Sequence, residues 1–426
     1  MAELLDFFAG IMLIIVICLI INDRLCKIPP EIALLIASLV AGLILKVLLS
    51  AGVLQNTGVV MDTIRDFNID KILTEGILCF MLFSGASDLK FKRLKEYFKP
   101  IALLSFLTTI ITAVLYGILF FGVAKLADLP LGFSLCFLLG AVVSPTDPIA
   151  ATGILNKMGL PKDITAIMEG ESLFNDGMGV AIFVFAKGIV TRTKEGGFFA
   201  VMAKELFGAI AVGLVISFLC SFLIKRSHNQ VFRIIVSLFA VSACYALSDD
   251  AGFSGAISSV VCGIYFATIL EKKEETDNGI AADEPAESNV YLYENFWLVM
   301  DKLLNYILYV LIGISFVFVS EFKAMAAAAI AAILINLVSR YVGVLLPTVF
   351  YTSIPGGYSR WQYTNLMTWS GLKGGLCLAL VMSTADYVDK SVYPILLFIV
   401  FVTIFFTTVI QGLTVAGVYK SLKRKF

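Results

Sequence analysis

Residues 171–177 read Glu-Ser-Leu-Phe-Asn-Asp-Gly, and they lie inside a run from Ile164 to Val190 that is apolar enough to cross a membrane. This stretch places two carboxylates, an Asn and a Ser within six positions. A charge at the centre of a bilayer costs about 2.5–3.5 kcal/mol even on the lenient insertion scale, so such residues are rarely kept without a role. The stretch therefore predicts a membrane-spanning helix that carries a functional site.

A second acidic stretch, Ser-Pro-Thr-Asp-Pro at residues 144–148, lies in the preceding apolar run. Its two prolines bracket Thr146 and Asp147. Proline removes a hydrogen-bond donor and pushes the preceding residue out of helical geometry, so backbone carbonyls near Thr146 are freed. Freed carbonyls within a membrane must line a cavity or meet another protein group. Two acidic sites in neighbouring spans, one on a broken helix, predict a place for a cation or proton partway across the membrane.

The composition defines an all-α, multi-pass membrane protein: 59% of the residues are hydrophobic, 15% are charged, and the mean hydropathy is +0.93. The zero net charge indicates no nucleic-acid partner. The eight cysteines have no metal-ligand spacing, and we expect no cofactor. The hydropathy pattern predicts about 13 transmembrane helices in one polytopic unit over residues 1–426, near 4–21, 30–49, 71–87, 100–123, 131–156, 163–190, 200–224, 231–248, 253–270, 293–319, 324–350, 362–384 and 392–418.

The distribution of basic residues predicts the orientation. With the N-terminus outside, 19 of the 32 Lys and Arg residues fall at inner ends and loops. Cytoplasmic loops carry such an excess, so we expect a cell-membrane protein with its N-terminus outside and its C-terminus in the cytoplasm. Residues 271–289 hold seven Asp or Glu and two Lys, and they predict a solvated, acidic cytoplasmic linker.

Five ionisable residues fall deep within predicted spans: Asp147, Glu171, Asp176, Arg340 and Lys373. Three acids and two bases leave a deficit of one positive charge when all are ionised. One bound monovalent cation, or one proton, closes this deficit. The balance matches an exchanger whose site alternates between the two.

Helical geometry divides the polar residues of the sixth predicted span into two pairs. At 100° per residue, Ser172 and Asp176 share one face, while Glu171 and Asn175 share an adjacent one. The first pair offers hard oxygen ligands suited to a small alkali ion. The second pair offers an ionic partner and an amide, which suit a structural role. Arg340 cannot be deprotonated, so it needs a buried partner, and Glu171 is the natural one.

A second break is predicted at residues 371–375, Gly-Leu-Lys-Gly-Gly, in span 12. If spans 1–6 and 8–13 form two six-helix repeats, the breaks in spans 5 and 12 fall in the fifth helix of each. The second repeat begins seven spans after the first. Because successive spans cross the membrane in alternating directions, this odd offset gives the second repeat the inverted orientation, as in transporters built around crossed, discontinuous helices. Lys373 is then expected to face the carbonyl ends at that crossing.

Taken together, these residues resemble the sodium/proton exchanger branch (the NhaP and NHE type) of the monovalent cation:proton antiporters. The similarity covers essentially the whole chain and rests on the motifs at residues 144–148, 169–177 and 369–374 together with Arg340. The resemblance implies a secondary transporter, not an enzyme, that exchanges Na⁺ or Li⁺ for H⁺ by alternating access and serves pH homeostasis. It also implies a core bundle with crossed broken helices and a separate dimerisation domain.

By the same resemblance, Asp176 is similar to the family's essential ion- and proton-carrying aspartate, with Asp147, Thr146 and Ser172 around the Na⁺ ion. The structural, charge-compensating set is then Glu171, Arg340, Asn175 and Lys373. The core bundle is expected at residues 100–190 and 324–419, and the interface helices of a homodimer at 4–87 and 231–319.

Two positions depart from the family pattern. The third span often carries a Glu where this chain has Ser84, and the later motif commonly has Arg where this chain has Lys373. Since Ser84 weakens the inherited ion assignment, K⁺/H⁺ exchange on the same scaffold is the alternative. A cation channel is the remote alternative, because a closed site formed by broken helices binds an ion and changes its exposure by a rocking movement instead of forming a continuous pore. The single carboxylate of the Asn175–Asp176 pair favours electroneutral exchange of one H⁺ per cation.

Overall fold

The computed structural model describes residues 2–50, 76–88, 91–193, 197–227, 229–277, 287–315 and 322–423. Within these ranges every regular element is a helix and none is a strand. Apolar segments in lipid must satisfy their backbone groups internally, and a helix does so within one segment. The all-α prediction is confirmed.

The N-terminal part of the chain contains nine helices in the residues that the structure describes. A π-helical turn at Leu103–Thr108 joins the fifth to the sixth. In chain order the nine are α1 (Ala2–Ile21), α2 (Pro30–Ser50), α3 (Leu78–Asp88), α4 (Phe91–Glu96), α5 (Phe98–Ala102), α6 (Thr109–Leu126), α7 (Phe133–Val143), α8 (Ile149–Lys157) and α9 (Lys162–Thr191).

The C-terminal part contributes nine more over its described residues, and a π-helical turn at Phe406–Gln411 joins the last two. These helices are α10 (Phe198–Arg226), α11 (Gln230–Asp250), α12 (Gly255–Asp277), α13 (Glu287–Ser315), α14 (Phe322–Thr348), α15 (Arg360–Trp369), α16 (Gly375–Met382), α17 (Tyr393–Phe405) and α18 (Gly412–Lys423).

Nine helical segments in the described ranges are long and apolar enough to cross a membrane. Four shorter apolar helices begin at Leu78, Phe133, Gly255 and Gly375, and each overlaps a predicted span. The chain is therefore a multi-pass membrane protein, as the hydropathy predicted. The total of 13 spans and the inverted repeats remain predictions.

Two of the predicted spans are interrupted at the positions that the prolines and glycines indicated. Span 131–156 is divided into α7 and α8 by residues 144–148, and span 362–384 is divided into α15 and α16 by residues 370–374. By contrast, α9 runs unbroken through residues 171–177. The polar side chains of that stretch therefore project from a continuous helix.

Part of the predicted acidic linker, residues 271–289, is helical in the structure. Residues 271–277 continue α12, and residues 287–289 belong to α13, whereas 278–286 lie outside the described residues. The role of residues 271–289 as a solvated cytoplasmic linker stays a prediction, and residues 271–277 are rich in Glu and Lys. Both are strong helix formers, and they extend a helix that is already nucleated.

Packing places the two interrupted helices in the middle of the molecule. Helix α7 packs between α6 and α9, and α16 contacts α7, α9 and α13. Helix α13 packs along α2, and α3 packs along α12. The breaks thus face a wall formed by α13 and α3.

Candidate functional site

The first break is shaped by close contact between Pro145 and helix α9. A Cβ at Gly179 would overlap the Pro145 ring, so only glycine lets the proline approach this closely. Helix α7 ends at Val143, and α8 begins at Ile149. The chain between them is extended enough to present Thr146 and Asp147 beside α9.

The two breaks meet through their backbones. Asp147 N donates to Leu372 O at 2.9 Å. The ammonium group of Lys373 donates to Ser144 O at 3.3 Å and to Pro145 O at 3.0 Å. Lys373 is fully buried. Its charge is therefore placed on the carbonyls freed at the end of α7, where the helix dipole is negative.

Asn175 connects α9 to the first break. Its Nδ2 donates to Thr146 Oγ1 at 2.7 Å, and Thr146 N donates to Asn175 Oδ1 at 3.3 Å. Both residues are buried. The Asn175 amide thus uses both of its ends to hold the extended segment against α9, with no group left over to carry a proton.

The Asp147 carboxylate accepts two hydrogen bonds. Ile149 N donates to Oδ1 at 3.0 Å, which also satisfies one of the free donors at the start of α8. The hydroxyl of Tyr309, on α13, donates to Oδ2 at 3.4 Å. Asp147 is therefore held by neutral donors, while the Lys373 ammonium is bonded to carbonyl oxygens instead of to this carboxylate.

Asp176 and Ser172 lie one turn apart on α9, and both line a cavity of about 260 Å³. Thr146 and Asp147 line the same cavity from the first break, and Gly374 lines it from the second. No residue in the described ranges donates a hydrogen bond to the Asp176 carboxylate. Among the carboxylates beside the helix breaks, Asp176 is therefore the one without a fixed hydrogen-bond donor, whereas Asp147 has two.

Glu171 and Arg340 form a buried ion pair behind the cavity wall, with Arg340 Nη2 2.6 Å from Glu171 Oε1 and both side chains 3% exposed. Arg340 Nη2 also donates to Met367 O at 3.5 Å, near the end of α15. Neither residue lines the cavity. The pair links α9 to α14 and borders the second break, since a Cβ at Gly371 would stand 2.9 Å from Arg340 Nε.

The cavity reaches the protein surface on one side. Its exposed lining residues include Asp88 at the end of α3 and Glu169 near the start of α9, whereas Leu376, Cys377 and Ala379 at its other end are buried. A cation entering from the exposed side would pass two carboxylates before it met Asp147 and Asp176.

Helix α13 contributes two cavity features that the motifs did not indicate. Asp301 lines the cavity, and Tyr309, two turns further along, bonds Asp147. The sequence carries a signal for Asp301, because it is a carboxylate inside the predicted span 293–319. It carries none for Tyr309, because a tyrosine in an apolar run is ordinary and its partner lies 162 positions away.

Ser84 does not belong to the cavity. Its hydroxyl donates to Trp297 O at 2.9 Å, and the side chain packs toward α13. The α3 residues that line the cavity are Leu78, Met81, Leu82, Gly85 and Asp88. The sequence-based link between Ser84 and ion coordination therefore has no support in the structure, since the helix turns this side chain away.

The fold and the site together define a multi-pass membrane protein with a carboxylate-lined cavity where two discontinuous helices meet. The sequence profile described as "Sodium/hydrogen exchanger, transmembrane" matches residues 11–420. The chain belongs to this family of cation/proton antiporters, as the motifs predicted.

Individual relatives agree with the family assignment. The chain is 26% identical to the Na⁺/H⁺ antiporter NhaP of Pseudomonas aeruginosa, covering 98% of this chain and 97% of that protein. It is also 26% identical to the Na⁺/H⁺ antiporter NhaH of Halobacillus dabanensis, covering 98% of each. Among solved structures, the sodium proton antiporter MjNhaP1 of Methanocaldococcus jannaschii at pH 8 superposes with a TM-score of 0.76, at 19% identity and 99% coverage of both chains.

Proposed function

We propose that this protein exchanges one Na⁺ (or Li⁺) for one H⁺ across the cell membrane, with Asp176 as the carboxylate that carries each in turn. The observation that supports this most directly is the placement of Asp176 in the cavity without a hydrogen-bond donor among the described residues. A carboxylate with no fixed partner can bind a proton or a cation, and it cannot bind both at once. The names of the relatives, all Na⁺/H⁺ antiporters, agree with this substrate pair.

The ligands of the cation in this proposal are oxygens from two elements. Asp176 and Ser172 supply them from α9, and Asp147 and Thr146 supply them from the first break. Carboxylate and hydroxyl oxygens are hard ligands that suit a small alkali ion. Because Asn175 holds the break against α9, the two halves of the ligand set are kept at a fixed separation.

Charge balance supports a one-for-one exchange. The Glu171–Arg340 pair is internally neutral, and the Lys373 ammonium offsets one of the two carboxylates of the proposed cation site, Asp147 and Asp176. In this proposal Asp147 stays ionised, with its carboxylate accepting the hydrogen bonds from Ile149 N and Tyr309, and Asp176 is the carboxylate whose charge alternates. One monovalent cation or one proton matches it, so the loaded site has the same charge in both halves of the cycle.

The one-sided cavity supports alternating access. Its exposed rim lies next to the basic segment that begins at Lys92, and basic loops are typical of the cytoplasmic face. In our proposal this is the inward-open arrangement, with the N-terminus outside and the C-terminus inside. The outward-open arrangement then requires the broken helices to move relative to α13 and α3, so that Asp176 changes its exposure.

The proposal is tested in proteoliposomes that hold a pH-sensitive dye and an imposed pH gradient. Addition of Na⁺ or Li⁺ should release the trapped protons and restore the dye signal, whereas K⁺ should do so weakly. A response to K⁺ equal to that for Na⁺ would favour the K⁺/H⁺ alternative. Cation flux that is not accompanied by proton movement would indicate a channel and would contradict the proposal.

A further inference from the structure

The backbone of Lys373 is held by two side chains that do not reach the cavity. Lys373 N donates to Thr407 Oγ1 at 3.1 Å, and Thr408 Oγ1 donates to Lys373 O at 3.0 Å. Both threonines are fully buried. A break in a membrane helix leaves backbone groups without partners, and each group that remains unpaired in an apolar interior is costly. Two neighbouring hydroxyls satisfy both groups of this one residue.

The two hydroxyls come from the π-helical turn Phe406–Gln411. Such turns occur mostly as single insertions within α-helices, and frequently at functional sites. A buried threonine in a helix usually bonds a carbonyl of its own helix, as Thr403 does with Ile399 O at 2.8 Å. Thr408 differs, because its hydroxyl donates to the backbone oxygen of Lys373, which lies outside its own helix.

The contacts continue from these threonines to the cavity. The Lys373 side chain starts from the backbone that they hold and ends on Ser144 O and Pro145 O. The next two residues of the chain are Thr146 and Asp147, which line the cavity. A shift of the Lys373 backbone would therefore displace the carbonyls that precede the proposed cation ligands.

We propose that Thr407 and Thr408 are positioning residues for the cation site and act on it through Lys373. This inference rests on the proposed function, in which Thr146 and Asp147 bind the cation. The π-helical turn is the local feature that aims both hydroxyls at the second break. A packing role alone would affect the stability of the protein, and it would leave the affinity of the cavity for cations unchanged.

The test compares Thr407→Val and Thr408→Val with Thr407→Ser and Thr408→Ser in proteoliposomes. Valine keeps the shape and removes the hydroxyl, whereas serine keeps the hydroxyl. We expect the valine variants to raise the apparent KM for Na⁺ and Li⁺ about tenfold, the order of effect of one lost buried hydrogen bond. The serine variants should stay within about twofold of wild type, which is small against that effect. Thr403→Val is the matched control on the same helix, and it should also keep the wild-type KM.

Melting curves in rising Na⁺ give a second measurement that does not depend on transport. A bound cation stabilises the folded state in proportion to its affinity, so the valine variants should need about tenfold more Na⁺ for the same rise in Tm. Where a valine variant does not fold, the alanine variant at that position is measured by the same two criteria.

Wild-type KM and wild-type Na⁺ dependence in the hydroxyl-free variants would overturn the inference while leaving the proposed function intact. A wild-type protein that Na⁺ stabilises but that does not exchange would contradict the proposed function alone, and the melting curves would still decide the role of the threonines. A wild-type protein that neither exchanges nor is stabilised by Na⁺ would overturn both.

Discussion

Asn175 and Thr146 bond each other twice across the first helix break, through Asn175 Nδ2 to Thr146 Oγ1 at 2.7 Å and through Thr146 N to Asn175 Oδ1 at 3.3 Å. The Asn175 side chain thus takes the place of the backbone acceptor that the Thr146 N–H would have in a continuous helix. This arrangement explains why an amide, and not a second carboxylate, precedes Asp176. A carboxylate could accept from the Thr146 amide but could donate to nothing while ionised.

Asn175→Ala should destabilise the protein, because it leaves the buried Thr146 N–H without a partner. The expected loss is about 1–3 kcal/mol in the free energy of unfolding, measured by thermal or denaturant unfolding in detergent. Asn365→Ala is the matched control, since within the described residues the Asn365 side chain bonds Trp361 O on the surface of its own helix and no other group. Equal effects of the two substitutions would argue that the Asn175–Thr146 bonds contribute nothing.

Glu171→Ala and Arg340→Ala should each lower stability strongly. Removing one partner of a buried ion pair strands the other charge, at a cost of about 3–5 kcal/mol. The double variant should lose less than the sum of the two single losses, because it strands no charge. Fully additive losses in a double-mutant cycle would contradict an energetic coupling between the two groups.

Gly374→Ala should impair transport by displacing Asp147. A Cβ at position 374 would stand 2.7 Å from Asp147 Cβ and 2.8 Å from its Oδ2, so the carboxylate must shift. We expect the apparent KM for Na⁺ to rise about tenfold or more, equivalent to at least one lost charge-assisted contact. Gly153→Ala, on α8, meets nothing within 4 Å and should exchange at the wild-type rate. A wild-type KM for Gly374→Ala would mean that Asp147 does not take part in cation binding.

Much of the architecture could be predicted because lipid restricts the choices. Long apolar runs must be helices, and Pro145, Pro148 and the glycines around Lys373 indicate where two of them break. The partner of Arg340 could be predicted as well, since a buried guanidinium needs a carboxylate. Among the intramembrane acids, Glu171 was the one assigned a structural role and not an ion-binding role. These inferences depend on local composition and on charge, which the sequence displays directly.

The remaining features depend on contacts between distant segments, which composition does not encode. Tyr309 reaches Asp147 only because α13 packs across the first break. Thr407 and Thr408 reach Lys373 only because a π-helical turn redirects them. Ser84 was associated with the ion because of its place in a motif, yet the rotation of α3 turns it toward Trp297. Each of these contacts joins residues that are far apart in the sequence.

Exchange should be insensitive to membrane potential if Asp176 is the only carboxylate that alternates. In proteoliposomes with a Na⁺ gradient, valinomycin and K⁺ set the potential while the dye reports proton movement. Each net charge moved is worth about 2.3 kcal/mol per 100 mV, so an electrogenic cycle would respond clearly. Rates that accelerate or reverse with voltage would contradict a one-for-one exchange.

The role of Asp176 as the alternating carrier is tested most directly by Asp176→Asn in the same dye assay. An amide keeps the size of the side chain but can neither release a proton nor bind a cation by charge, so the account predicts no Na⁺-dependent dye recovery from a correctly folded protein. Asp249→Asn, an exposed residue at the end of α11, is the control and should exchange like wild type. Near-wild-type recovery in Asp176→Asn would contradict the account.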